Sequence, residues 1–273
     1  MNNIIQIEEA LLAAQQKTRE NKLLRGSPER YFKTGKGEYA EGDQFMVIPN
    51  ALLRDIGKNF LLISFEELSV LLQSRVHEKR LLALIILNQK QKKIFRSKVP
   101  CRLQVEKIFT FYLTELLRKR SGINNWDLID LSAPTIIGQS LLYFESYGDK
   151  NLSFLEKIEF QGDGRRFWPL FSLARSDNLW HRRVAMCSNL TLIREGILEP
   201  TWEIASMLST DKRDLTQKVT GWILREAGKK DEMALLEIIE KEGKHWPRTL
   251  LRSAIERIKE PLRNEILKKT RTS

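Results

Sequence analysis

Apolar residues recur at three- and four-residue spacing along most of the chain. "SFEELSVLLQS", "HEKRLLALIILNQKQKK", "QVEKIFTFYLTELLRKR" and "DEMALLEIIEKEG" each carry the period of an α-helix with one apolar face. Several helix ends can be read as well. Ser64 precedes Glu66 and Glu67 in an N-cap arrangement, and Asp177 or Asn178 can cap "LWHRRVAMCSNLTLIREG" before Gly196 closes it. Pro200, Pro247 and Pro261 stand at breaks between periodic segments. One stretch departs from the pattern: "YFKTGKGEYAEGDQFMVIPN", residues 31–50, is glycine-rich and ends in the strand-like "QFMVI". It predicts a loop or a small β-hairpin projecting from a helical body, with the loop favoured.

The second half repeats weakly. "LARSDNLWHRRVAM", "MLSTDKRDLTQKVTGWILRE" and "IIEKEGKHWPRTLLRSAIERI" each join a helix end, a short polar turn and a longer arginine-bearing helix. Ser176, Ser209 and Gly243 mark the turns at intervals of about 34 residues, within the range of helical-pair repeats. Units of this kind stack into a solenoid with a concave surface, because none buries its apolar face alone. An array of four-helix bundles is the alternative. The expected fold class is all-α, a single helical-repeat domain over 1–273.

Charge adds a partner. The 273 residues carry a net charge of +11, with a pI near 9.6. Clustered Lys and Arg point to a polyanion, since phosphate contacts release condensed counterions; solubility alone is the bland alternative. Cys101 and Cys187 have no metal-ligand spacing, and His77, His181 and His245 lie far apart. No metal or cofactor is expected, and the two cysteines suggest a reduced, cytoplasmic setting. The amphipathic N-terminus and the lack of a long apolar run argue against a leader or a membrane span.

Three segments pair a tryptophan with a charge on one helix face. In "NNWDLIDLSAP" (124–134) these are Trp126 and Asp130, four residues apart, ahead of Pro134, which reads as the helix end; Leu128 and Leu131 point to a core. In "LWHRRVA" they are Trp180 and Arg183, and in "VTGWILRE" Trp222 and Arg225. Taken singly, each tryptophan reads as core and Asp130 as a cap or turn carboxylate; His181, Arg182 and Arg183 read as a solvated basic face. Together they suggest a basic groove lined with tryptophan and holding one carboxylate. A carboxylate repels phosphate, so it fits a place where positive charge develops. Cleavage of a sugar–base bond produces such charge, on an oxocarbenium-like sugar. A base made cationic by alkylation leaves without a general acid, and aromatic faces attract cations.

At these residues the chain resembles the DNA alkylation repair (AlkD-like) branch of the HEAT-like-repeat DNA glycosylases. The resemblance runs through "YFKTGKGEYAEGDQF", "HEKRLLALIILNQ", "NNWDLIDLSAP", "LARSDNLWHRRVAM", "KVTGWILREAGKKDEMALLE" and "WPRTLLRSAIERI". It implies a HEAT-like solenoid whose concave basic groove wraps double-stranded DNA, and excision of N3- and N7-alkylpurines while the nucleotide stays in the duplex. By motif match, Asp130 is the catalytic carboxylate, with Trp126 and Trp222 beside the lesion's sugar. Arg183 grips a nearby phosphate, and Tyr31 is a DNA-contacting aromatic. Arg182 and Arg225 complete the expected DNA-binding set. His181 stands where a glutamate is common, and Ser253 where a tyrosine is. A monomer associated with the nucleoid is expected. The alternatives are a non-catalytic binder of damaged or branched DNA and a protein-interaction scaffold.

Overall fold

The computed structural model describes residues 2–20, 28, 31–149 and 152–270. Among them it has fourteen α-helices and no strand; one isolated parallel bridge joins Gln44 to Val76. The fold is all-α and built from helical repeats. The chain forms two compact units, Met1–Ile136 and Ile137–Ser273.

In the first unit, α1 (Asn2–Glu20) packs on α2 (Asn50–Asn59) and α3 (Phe65–Leu72). The centre is α4 (His77–Phe95), in contact with α2, α3, α5 (Arg102–Leu117) and α6 (Trp126–Ala133). That enclosure explains why every residue from Leu81 to Leu87 is buried, although a surface helix would expose one face. The expected cap of α3 is a full capping box: Ser64 Oγ accepts from the Glu67 N–H at 3.2 Å, and Glu67 Oε2 accepts from the Ser64 N–H at 3.1 Å. Two bonds fix α6. Asn88 Nδ2 donates to the Leu131 carbonyl at 2.8 Å, and the Tyr112 and Ser132 hydroxyls lie 3.0 Å apart.

Residues 31–49 form a loop, not a hairpin, and the loop is pinned to the start of α4. The buried Glu78 carboxylate accepts the Met46 N–H at 2.9 Å and the Val47 N–H at 2.6 Å. Val47 has φ 60°, a left-handed conformation that is strained for a β-branched residue by about 1–3 kcal/mol. The two charge-assisted bonds offset that strain.

Pro134 does not end the helical path. It opens a π-helical turn, Pro134–Gly138, that leads into α7 (Gln139–Ser146). A proline lacks the N–H of the i→i−4 ladder, and a wider turn accommodates its ring without breaking the helix.

The second unit holds the repeats. Helices α8 (Trp168–Ala174) and α9 (Leu179–Arg194) form one pair, and α10 (Glu199–Leu208) with α11 (Asp214–Gly228) the next. Then come α12 (Glu232–Glu242), α13 (Arg248–Ala254) and α14 (Leu262–Lys269). Neighbouring α9, α11 and α13 make one layer; α8 packs on α9, α10 on both α9 and α11, and α12 on α11. The close approach of α11 and α13 depends on small residues. A Cβ on Gly221 would sit 2.5 Å from the Leu250 carbonyl oxygen and 2.6 Å from the Ser253 Cβ, which is a physical reason for glycine at 221.

One helix-entry turn recurs in both units. Ser74 Oγ accepts from the Val76 N–H at 3.1 Å, and the Ser74 carbonyl accepts from Arg80 Nη1 at 3.2 Å. Ser176 Oγ accepts from the Asn178 N–H at 3.1 Å, and its carbonyl accepts from Arg182 Nη1 at 2.7 Å. Asp211 Oδ1 accepts from the Arg213 N–H at 2.8 Å, and its carbonyl accepts from Gln217 Nε2 at 3.0 Å. In each case the residue at i+2 is the N-cap of the long helix, and a long side chain at i+6 reaches back to the turn. The third turn centres on Asp211, two residues beyond the expected Ser209. Gly243 instead opens a short 3₁₀ turn, Gly243–His245.

Candidate functional site

In the first unit the predicted pair lies where the helical spacing put it. Leu128, Ile129, Ser132 and Ala133 of α6 are buried, whereas Trp126 and Asp130 are half-buried on the other side; Leu131 is half-buried rather than core. Asn125 caps the helix through its Oδ1, 2.8 Å from the Trp126 N–H. The Trp126 indole stacks on Phe32, with ring centroids 5.6 Å apart and planes 24° from parallel. Tyr31, next to Phe32, is 62% exposed, and its carbonyl accepts from the Tyr39 hydroxyl at 3.2 Å.

Behind that face lies a cluster absent from the sequence reading. Phe32 also packs on Phe45 (5.1 Å, 15°) and on the His77 ring (4.7 Å). His77, only 3% exposed, places Nε2 2.8 Å from Asp127 Oδ2, and its Nδ1 faces Asp43 Oδ2 at 3.9 Å. Arg80 grips Asp43 with both ends of its fork, at 2.8 and 2.7 Å. Burial opposes a charge on His77. Its hydrogen bond to Asp127 and the nearby carboxylate of Asp43, helped by the Asp127 charge, outweigh that burial and the adjacent Arg80, raising its pKa from 6.5 to about 9. Burial likewise opposes ionisation of Asp43, but His77 and Arg80 hold its carboxyl below the usual range. Two cations thus face two carboxylates. The sequence signal was a histidine and an arginine three apart at the head of the apolar run "LLALIIL". Such charges, set into a buried helix, require partners.

In the second unit, Arg182 and Arg183 are 7% and 5% exposed, which corrects the solvated basic face. Arg182 Nε lies 2.9 Å from Asp211 Oδ2, and Arg183 Nη1 donates to the Leu215 carbonyl at 3.0 Å, bridging α9 to α11. His181 is half-buried with Nδ1 2.9 Å from Ser176 Oγ. Trp222 follows Gly221 on α11 and is half-buried; Arg225 is paired with Glu256 and stands 3.5 Å from Glu226. The three tryptophans singled out, Trp126, Trp180 and Trp222, are all half-buried, whereas Trp168 and Trp246 are core.

Among the described residues no group of three or more His, Cys, Asp or Glu could hold a metal ion, and no helix is long and apolar enough to cross a membrane. The sequence profile of a family described as "DNA alkylation repair enzyme" matches residues 10–158 and 164–258. A solved structure described as a predicted DNA alkylation repair enzyme from Enterococcus faecalis shares this fold, with a TM-score of 0.56 at 16% identity. The match covers 85% of this chain and 93% of that one. No curated protein matches the chain.

Proposed function

The chain belongs to the DNA alkylation repair enzyme family, and from that premise we propose that it is a DNA glycosylase that hydrolyses the N-glycosidic bond of N3- and N7-alkylated purines. One observation carries this reading: Trp126 and Asp130 stand together, half-buried, on the side of α6 turned away from its buried residues. A carboxylate in that position can oppose the positive charge that forms on the sugar as the C1′–N bond lengthens. The bond's electron pair goes to the cationic purine, which leaves neutral. Water adds its oxygen to C1′, and the proton it sheds passes to Asp130 and on to solvent. Trp126 offers its face to the sugar or the cationic base.

Trp222 is assigned a second aromatic contact with the nucleotide. Arg183, together with Arg182, Arg225 and Tyr31, is assigned to the double-stranded DNA that carries it. Arg182 and Arg225 already have carboxylate partners, Asp211 and Glu256, so their share of phosphate binding is the smaller. The protein works in this reading as a monomeric, single DNA-binding domain beside the nucleoid in the cytoplasm.

The test counts abasic sites in matched duplexes bearing 7-methylguanine, uracil or hypoxanthine. Release of 7-methylguanine alone is expected, because neutral bases need a protonated leaving group and the proposed site has no general acid. Asp130→Asn should abolish that release while binding persists, a loss of about 3–4 kcal/mol or more in transition-state stabilisation. Full turnover in folded Asp130→Asn would make Asp130 structural. Inactivity of the unaltered protein on every substrate would leave the non-catalytic DNA binder.

A further inference from the structure

We infer that His77 is a positioning residue, which fastens the 31–49 loop to the first turn of α6 and thereby sets the plane of Trp126. Each contact of the ring serves that end. Nε2 holds Asp127, the residue after Trp126. Nδ1 faces Asp43, which Arg80 anchors. The ring itself packs against Phe32 and Phe45 from the loop, and Phe32 is the platform on which Trp126 stacks. On its own helix the charged neighbours are Glu78, Lys79 and Arg80: Glu78 grips the same loop at Met46 and Val47, Lys79 pairs with Glu8, and Arg80 Nη2 lies 3.4 Å from Nδ1. His77 is in direct contact with Asp127, Phe32 and Phe45 together.

The charge state gives the clamp a pH range. The folded pKa is raised above 6.5, so the stabilisation is complete below 6.5 and is lost as the pH rises through about 9. The charged ring donates from Nε2 to Asp127, while Nδ1 lies between Arg80 Nη2 at 3.4 Å and Asp43 Oδ2 at 3.9 Å.

The part of this inference that concerns reaction rate rests on the proposed glycosylase reading; the loop contact does not. The test therefore has two readouts, made on full-length His77→Ala and His77→Gln. Hydrogen exchange of amides 43–48 reports the clamp, and single-turnover release of 7-methylguanine reports the positioning. A glutamine amide can reach the place of Nε2 and still donate to Asp127. In His77→Ala, exchange at 43–48 should quicken by about tenfold or more while α5 keeps its protection, and base release should fall by a similar factor with DNA affinity nearly unchanged. His77→Gln should recover most of both.

Unchanged exchange and rate in His77→Ala overturn the inference. So does uniform loss of protection across the first unit, which would mark His77 as general structure. Selective exchange in a protein that releases no base refutes the glycosylase reading and upholds the clamp. If His77→Ala loses its cooperative melt, the glutamine variant and the unaltered protein decide. In the latter, exchange at 43–48 relative to α5 should rise as the pH passes about 9, and a flat ratio refutes the clamp.

Discussion

The serine form of the helix-entry turn occurs once in each unit, with different attachments. At Ser74 and at Ser176 a hydroxyl holds the N-cap N–H, and an arginine six residues on reaches back to the serine carbonyl. In the second unit the counter-ion of Arg182 is Asp211, which itself forms the next turn by accepting the Arg213 N–H and the Gln217 amide. One carboxylate therefore ties one repeat to the following one. In the first unit the counter-ion of Arg80 is Asp43, from a loop outside the repeat pattern, and the cap is followed by His77 and Glu78, which also face outside the pattern. The contrast teaches a division of labour: regular turns propagate the stack, and the irregular one attaches a site to it.

The most severe way to break this contrast is Asp211→Ala. It strands the buried Arg182 and removes the Oδ1 acceptor of the Arg213 N–H at the α11 entry, so urea unfolding should show a loss of about 3–5 kcal/mol. A loss under about 1 kcal/mol would mean that Asp211 does not link the repeats. Next comes Gly221→Ala, which drives a methyl into the Leu250 carbonyl and Ser253 and should cost about 2–3 kcal/mol in thermal or urea melts. Asp43→Ala should cost less, about 1–2 kcal/mol, because a released loop lets water reach Arg80; amides 43–48 should exchange faster while α9 and α11 are unaffected. Equal losses for Asp43→Ala and Asp211→Ala would erase the distinction between loop and repeat. With the carboxyl of Asp43 held low, its contribution should be complete above pH 4 or so and fade as the pH falls through the depressed value. The mildest change is Arg225→Ala, whose partner Glu256 is largely exposed: stability should move by under about 1 kcal/mol, and the slope of log affinity against log salt by at most about 0.9.

Helices, the capping box and the outward placement of Trp126 and Asp130 were legible, because each depends on residues within one or two turns of each other. The spacing of the repeats was legible too, although the residue that builds the third turn was not Ser209. What the sequence hid were pairings between distant segments. Asp127 meets His77 across 50 residues, and Asp43 meets Arg80 across 37. Nothing in the local pattern of "EGDQF" identifies its aspartate as a buried counter-ion. The arginines at 182 and 183 were misread for the same reason: hydropathy treats them as surface, and their burial depends on Asp211 and on the Leu215 carbonyl of another helix. Pro134 was taken for a stop because a π-helical turn carries no recognisable sequence mark.

The left-handed Val47 also fixes an order of events during synthesis. Glu78, which holds the Met46 and Val47 amides, is made 31 residues after Val47. At translation rates of about 5–20 residues per second, that is a delay of about 2–6 s. Until then nothing offsets the unfavourable backbone angle, and the segment stays with the ordinary conformers of a nascent chain. Asp127 arrives later still. The platform beneath Trp126 is thus completed from its far end, after α6 has begun to emerge, and an N-terminal fragment ending before residue 78 should not contain it.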